Sequence, residues 1–218
     1  IVFSDISKLK TLEKMREDFI GNVSHELRTP ISVIKANSET LLSTKLIKDE
    51  NAINFTKAIQ SQSERMATIV NELLSISSME SGDYPISLDK LNIKNIVDSA
   101  IKELNPMTES SNIKLVNKIS DITHIIGDES AIKIIISNYI TNAIKHSPDD
   151  EIIEIDNEKI DKDFCRIKVI DNGIGIAKKY RERVFERFFR VDKGRSKKIG
   201  GTGLGLSISK NLALMMGY

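Results

Sequence analysis

The stretch Phe19-Ile20-Gly21-Asn22-Val23-Ser24-His25-Glu26-Leu27-Arg28-Thr29-Pro30 sets a histidine beside an acid, with a proline five residues beyond the histidine, inside an otherwise helical pattern. An imidazole with a neighbouring carboxylate suits a phosphoryl acceptor, because the carboxylate can hold the tautomer that leaves one ring nitrogen nucleophilic. A surface histidine on an amphipathic helix is the plainer reading of the same residues. The rest of the chain decides between them.

Working outward, Leu9, Leu12, Phe19, Val23, Ile31, Ile34, Leu41 and Leu42 fall mostly at three- and four-residue steps, with Ser7 as candidate N-cap. They predict a helix from Ser7 to Leu42, ~54 Å long at 1.5 Å per residue. Pro30 lies inside it, lacks an amide and crowds the carbonyl of Glu26, so a bend or loosening is expected beside His25. A polar connection, Thr44 to Asp49, leads to a second predicted helix, Glu50 to Ser78. There Phe55, Ile59, Gln62, Met66, Ile69, Leu73 and Ile76 step by 4, 3, 4, 3, 4, 3, which is a heptad seam. Such a hairpin is too thin to bury itself. Pairing with a second copy would complete a four-helix bundle, and packing on the chain's own C-terminal half is the alternative.

Composition narrows the function classes. The chain has 218 residues, 40% apolar and 29% charged, with a net charge of +1. That suffices for one large domain or two small ones, and it leaves no electrostatic footprint for nucleic acid. One cysteine, Cys165, excludes an internal disulfide and a cysteine-rich metal site. No apolar run approaches the ~18 residues of a membrane span. A cytoplasmic setting is expected, with membrane attachment through segments upstream of Ile1.

Ser81-Gly82-Asp83-Tyr84-Pro85 punctuates the chain. Beyond it the pattern predicts a strand at Ile86–Leu88, a helix at Ile93–Leu104 and strands at Ile113–Ile119 and His124–Ile126. A helix at Ala131–Lys145 and strands at Ile152–Ile155 and Phe164–Ile170 follow. A helix at Ala177–Phe189, a basic glycine-punctuated loop at Val191–Thr202 and a last helix at Leu204–Met216 complete the order. Strands and helices mixed without a regular βαβ repeat predict an α+β two-layer sandwich after the all-α hairpin.

Within the Ala131–His146 helix, Ile132, Ile136, Tyr139, Ile140 and Ala143 share one side, and Asn138, Asn142 and Lys145 share the opposite stripe. The polar stripe is either a solvated face or a site. Asparagine is a poor helix former, and two amides one turn apart with a lysine beyond suit Mg²⁺ and phosphate. Asp171-Asn172-Gly173-Ile174-Gly175 follows a predicted strand. Its carboxylate could accept a purine amino group, although the same triplet also makes ordinary turns. Gly200-Gly201-Thr202-Gly203-Leu204-Gly205 opens the last helix and offers free amides to an anion, without matching Walker A or a dinucleotide fingerprint. Between them, in Phe185-Glu186-Arg187-Phe188-Phe189-Arg190, aromatics could pack the loop and an arginine could reach phosphate.

Taken in order, His-Glu-x-x-Thr-Pro, Asn-x-x-x-Asn-Ala, Asp-x-Gly-x-Gly, Phe-x-x-Phe and Gly-x-Gly-x-Gly resemble the sensor histidine kinases of two-component signalling, over nearly the whole chain. The resemblance implies a dimeric phosphotransfer hairpin over residues 7–80 and a gyrase-type ATP-binding domain over 81–218. It implies ATP and Mg²⁺ as ligands, a homodimer, and the receiver domain of a response regulator as partner. By the same resemblance His25 matches the phosphoacceptor, Glu26 the acid that orients or deprotonates it, and Thr29 the residue used in dephosphorylating the partner. Asn138 and Asn142 match the Mg²⁺-ATP asparagines, Lys145 a phosphate ligand and Asp171 the adenine reader, with Gly173 and Gly175 beside it. Arg190 matches the arginine on the terminal phosphate, with Arg187 near it, and Gly201, Thr202, Gly203, Leu204 and Gly205 match the ATP lid.

His146 stands where the family often has an aromatic residue beside the nucleotide. The family also continues into a final β-hairpin beyond the position of Tyr218, so the ATPase domain is expected to be C-terminally incomplete. Residues 1–6 resemble the tail of a PAS-type sensory module, and the whole is expected to be the cytoplasmic portion of an inner-membrane sensor. The alternatives are an ATP-driven conformational protein of the gyrase or chaperone type, and a dimeric signalling adaptor without kinase activity.

Overall fold

The computed structural model describes residues 23, 26–41, 50–109, 111–121, 123–161, 164–191 and 201–218. The chain divides into two compact units, Ile1–Ser75 and Ile76–Tyr218. His25, the linker Thr44–Asp49, the opening residues 1–6 and the loop centre 192–200 lie outside the described residues.

In the first unit, helix α1 is described over residues 26–41, and Pro30 within it is buried. Helix α2 spans Glu50–Ser81, three residues beyond its predicted end, and its last turns belong to the second unit. The heptad seam is visible in its burial. Phe55, Ile59, Gln62, Met66, Ile69, Leu73 and Ile76 are all half-buried or buried, and Ile69 and Ile76 are almost wholly inaccessible. Between them Glu64, Val70 and Leu74 remain exposed, as does Ile53 just before the seam. An apolar stripe at this period gains its stability by packing rather than by propensity.

The second unit is an α+β arrangement. Strand β1 (Asp89–Asn92) runs antiparallel to β3 (His124–Gly127), with Leu91 opposite Ile125. Strands β2 (Lys114–Asn117), β4 (Ile152–Lys159) and β5 (Cys165–Ile170) form a separate sheet in that spatial order β2-β4-β5, β2–β4 parallel and β4–β5 antiparallel. Helix α3 (Ile93–Leu104) and helix α4 (Glu129–His146) pack together, and α4 lies against β4, β5 and the last helix, α5 (Gly205–Met215). Ile93, Val97, Ile132, Ile136, Ile140, Ile153, Ile155, Leu204 and Leu212 fill the space between. Each such side chain contributes roughly 1.5–3 kcal/mol on burial.

Local chemistry sets the boundaries. Asn92 caps α3 by accepting the amides of Lys94 and Asn95, and Asn105-Pro106 closes it. Asp128 caps α4, its two carboxylate oxygens taking the amides of Ala131 at 2.8 Å and Ser87 at 2.9 Å. These bonds hold its carboxyl below the ordinary range.

Two expectations are corrected. The first strand is Asp89–Asn92 rather than Ile86–Leu88, because the amide of Ser87 is taken by Asp128 instead of a neighbouring strand. The predicted helix Ala177–Phe189 is two short 3₁₀ turns, Lys178–Tyr180 and Arg183–Phe185. Glu186 is extended, Phe188 turns to φ 59°, and the amide of Phe188 donates to Gly203 rather than into a helix.

Candidate ATP-binding site

The site is built around α4. The Asn138 amide nitrogen donates to the carbonyl of Gly205 at 3.0 Å and to the hydroxyl of Ser209 at 3.1 Å, joining the middle of α4 to the first turn of α5. A side-chain carbon at Gly205 would come within 3.1 Å of the Asn138 amide oxygen, so the absence of one permits this approach. The Asn138 oxygen is left without a hydrogen bond among the described residues. One turn further, the half-buried Asn142 carboxamide likewise has no hydrogen-bond partner among the described residues. Lys145 carries its ammonium to Gly201, 3.8 Å from where a Cβ would stand.

Lys145, Asp171 and Arg190 are each close enough to act on His146. The pKa of His146 is lowered from its ordinary value, first by burial of the ring and then by the positive charge of Lys145. Asp171 opposes the shift and Arg190 adds to it. Asp171 itself leaves β5 into a tight turn in which its Oδ1 accepts the amide of Gly173 at 2.8 Å. Gly173 fits against the end of α4, because a Cβ there would lie 2.6 Å from the carbonyl oxygen of His146. The second oxygen of Asp171 has no partner among the described residues, and Gly175, at φ +67°, turns in open space.

The glycine-rich segment is clamped to the aromatic one. Phe188, buried, donates its amide to the carbonyl of Gly203 at 2.9 Å. At Gly203 (φ +76°) a Cβ would meet the backbone of Phe188 at 2.9 Å. The Thr202 hydroxyl accepts the amide of Leu204 at the start of α5. Tyr180 and Phe189 pack with ring centres 5.8 Å apart, and Arg183 stacks on Phe189.

The structure thus brings together Asn138, Asn142, Lys145, His146, Asp171, Gly173, Arg190 and the Gly201–Gly205 segment. It does not bring Arg187 to them. The guanidinium of Arg187 donates to the carboxylate of Glu80, beside a cavity of about 210 Å³ lined also by Met79, Asn211, Leu214 and Met215, toward the far end of α5. Tyr139 departs from its apolar stripe, remaining 38% exposed, while Ala131 and Ile144 complete the buried face. In the first unit, Glu26 is half-buried and Thr29 exposed on α1. Among the described residues no group of three or more His, Cys, Asp or Glu side chains could hold a metal, and no helix is long and apolar enough to cross a membrane.

Sequence reasoning missed Ser209, the second acceptor for Asn138, and Arg65, which holds Glu26. Ser209 had a signal, since it lies one turn past Gly205 on the helix that the glycines open. Arg65 borders the seam residue Met66, where a long cation can reach across to the facing helix.

A helix with a phosphoacceptor-type motif and an ATPase-type sandwich define the class of protein. Residues 15–82 match the His Kinase A (phospho-acceptor) domain, and residues 127–218 match the histidine kinase-, DNA gyrase B- and HSP90-like ATPase. The chain belongs to the sensor histidine kinases of two-component signalling. It is 36% identical to the sensor-like histidine kinase SenX3 of Mycolicibacterium smegmatis, over 98% of this chain and 55% of that protein. It therefore spans about half the length of that relative. Full-length ShkA, solved in complex with AMPPNP, is similar with a TM-score of 0.66 and 26% identity, over 92% of this chain and 41% of ShkA. The histidine kinase ThkA, solved in complex with the response regulator protein TrrA, shares the fold with a TM-score of 0.64 at 18% identity, over 87% of this chain and 57% of ThkA.

Proposed function

We propose that the chain is the kinase core of a sensor histidine kinase, which moves the γ-phosphoryl of ATP to His25 and from there to an aspartate of a response regulator. The observation that carries this reading is the polar stripe of α4. Asn138 is tied to α5 through its nitrogen with its oxygen unused, Asn142 is half-buried without a hydrogen bond, and Lys145 lies beside Gly201. Both amide oxygens are therefore free to coordinate a ligand without first breaking a bond within the protein.

The residues fit ATP with Mg²⁺. The unpartnered oxygen of Asp171, its mate fixed by Gly173, would accept the exocyclic amine of adenine. Asn138 and Asn142 would hold Mg²⁺ through amide oxygens, which are the hard ligands this ion prefers. Mg²⁺ neutralises charge on the phosphate chain when bound. Lys145 and Arg190 would bind the β- and γ-phosphates, and Gly201, Thr202, Gly203 and Leu204 would close over them at the start of α5. His146, its pKa lowered first by burial of the ring and then by Lys145, would present its imidazole to the nucleotide.

In the transfer, the bond from an imidazole nitrogen of His25 to the γ-phosphorus forms as the bond from that phosphorus to the β–γ bridging oxygen breaks. ADP leaves, and Glu26 takes the imidazole proton. Thr29, one turn from His25, would act in removing phosphate from the regulator. The hairpin, taken as residues 7–80, would dimerise, a reading supported by Ile53 at 56% and Leu74 at 63% exposure on α2. The response regulator would dock on that hairpin, and a link to the membrane would run through upstream segments.

Incubation with γ-labelled ATP tests the proposal. The chain should acquire acid-labile label, and His25→Gln should acquire none while binding nucleotide as before. Label that persists in that variant would refute it.

A further inference from the structure

Glu26 on α1 and Arg65 on α2 are 39 residues apart in sequence and paired in space, with the Arg65 Nη2 donating to Glu26 Oε2 at 2.9 Å. Each side chain is only 26% exposed. The Nε of Arg65 is buried and has no partner among the described residues, so the guanidinium is seated between the helices rather than lying on their surface. Glu26 Oε1, by contrast, has no hydrogen-bond partner among the described residues. One oxygen is anchored and the other is left over.

As helix-to-helix glue such a pair is worth little, since a partly exposed ion pair gives up nearly as much hydration and side-chain freedom as it gains. Its larger effect is on geometry. A glutamate has three rotatable side-chain bonds, and a guanidinium on one oxygen removes most of that freedom. Glu26 directly follows His25, so whatever fixes its carboxylate fixes the group nearest in sequence to the acceptor. Lysine in place of Arg65 would supply charge without the planar fork.

We propose that Arg65 is a positioning residue for phosphoryl transfer at His25. It anchors Glu26 through Oε2 so that Oε1 receives the imidazole proton. The inference rests on the function proposed above and adds a residue from the second helix to its machinery.

The test is a cycle on the full chain, with Arg65→Gln, Glu26→Gln and the double variant, read as initial labelling rates over a range of Mg²⁺-ATP concentrations. Misplacing a catalytic group by about 1 Å costs on the order of a hundredfold. Arg65→Gln should therefore lower kcat about tenfold or more and leave KM for ATP unchanged. Arg65→Lys should recover part of the loss. In the Glu26→Gln background, adding Arg65→Gln should change the rate by no more than about twofold, since the group it positions is already gone. A wild-type rate in Arg65→Gln, or the same fold-loss in both backgrounds, would overturn the proposal. Should Arg65→Gln lose helical circular dichroism, Arg65→Lys decides alone: slower labelling with unchanged helicity supports the positioning role, and a wild-type rate contradicts it. A wild-type chain that binds ATP but never labels would overturn the kinase reading first and the role of Arg65 with it.

Discussion

The helical hairpin and the ATPase unit hold their candidate chemistry in opposite ways. In the hairpin the motif residues are consecutive in sequence, and Glu26 among them is tied to the second helix by an ion pair with Arg65. In the ATPase unit the site is gathered from α4, the turn after β5 and the start of α5, with Asn138 reaching across 67 residues to Gly205. A contiguous motif on a helix is placed by helix geometry. A gathered site is placed by packing, so single substitutions far from any ligand can dismantle it. The hairpin should therefore tolerate change outside its motif and seam, while the ATPase unit should be sensitive at its glycines and caps.

The sharpest way to break this contrast is Asn142→Ala. Removing the half-buried amide should weaken Mg²⁺-ATP binding about tenfold or more, or about 1.4 kcal/mol per decade, and leave helical content unchanged. Calorimetric titration checks it, and unchanged affinity would mean that the stripe on α4 is only a solvated face. On stability rather than binding, the largest effect is Gly203→Ala. A left-handed φ of +76° costs an alanine about 1–2 kcal/mol, and its Cβ would also collide with the backbone of Phe188 at 2.9 Å. A loss above about 2 kcal/mol in thermal unfolding is expected. Gly175→Ala, at φ +67° with nothing within 4 Å, should cost about half as much.

The smallest effect is at the cap of α4. Asp128→Ala should destabilise the ATPase unit by about 1 kcal/mol at neutral pH. The folded carboxyl lies below its ordinary 3.8, so its contribution is present above the unfolded value and is lost as pH falls through the folded one. The gap between wild type and the alanine variant should accordingly close as unfolding is followed from pH 7 toward pH 3.

The same contrast explains what the sequence made legible. The seam of α2 and the bounds of α3 could be read directly, because a heptad step, the Asn92 cap and Asn105-Pro106 are local signals. The polar stripe of α4 was legible for the same reason. What helical spacing could not supply was the partner of each residue, such as Ser209 for Asn138. The segment Ala177–Phe189 misled because Tyr180, Val184 and Phe185 imitate helical spacing. Its backbone instead closes two local 3₁₀ turns and gives the Phe188 amide to Gly203, a contact between positions that no local pattern links. Arg187, a nucleotide-binding candidate from its place in the Phe185–Arg190 segment, instead donates to Glu80, a partner 107 residues away that no local pattern indicates.

The central claim is that the gathered site delivers phosphoryl to the contiguous motif. Mass spectrometry of peptides from the chain, after incubation with Mg²⁺-ATP and digestion at neutral to mildly alkaline pH, tests it most directly. The account predicts one phosphoryl group on the peptide containing His25, lost on brief acid treatment and absent from the Asn142→Ala chain. An acid-stable phosphoryl on a serine or threonine, or ATP turnover with no phosphopeptide at all, would contradict it.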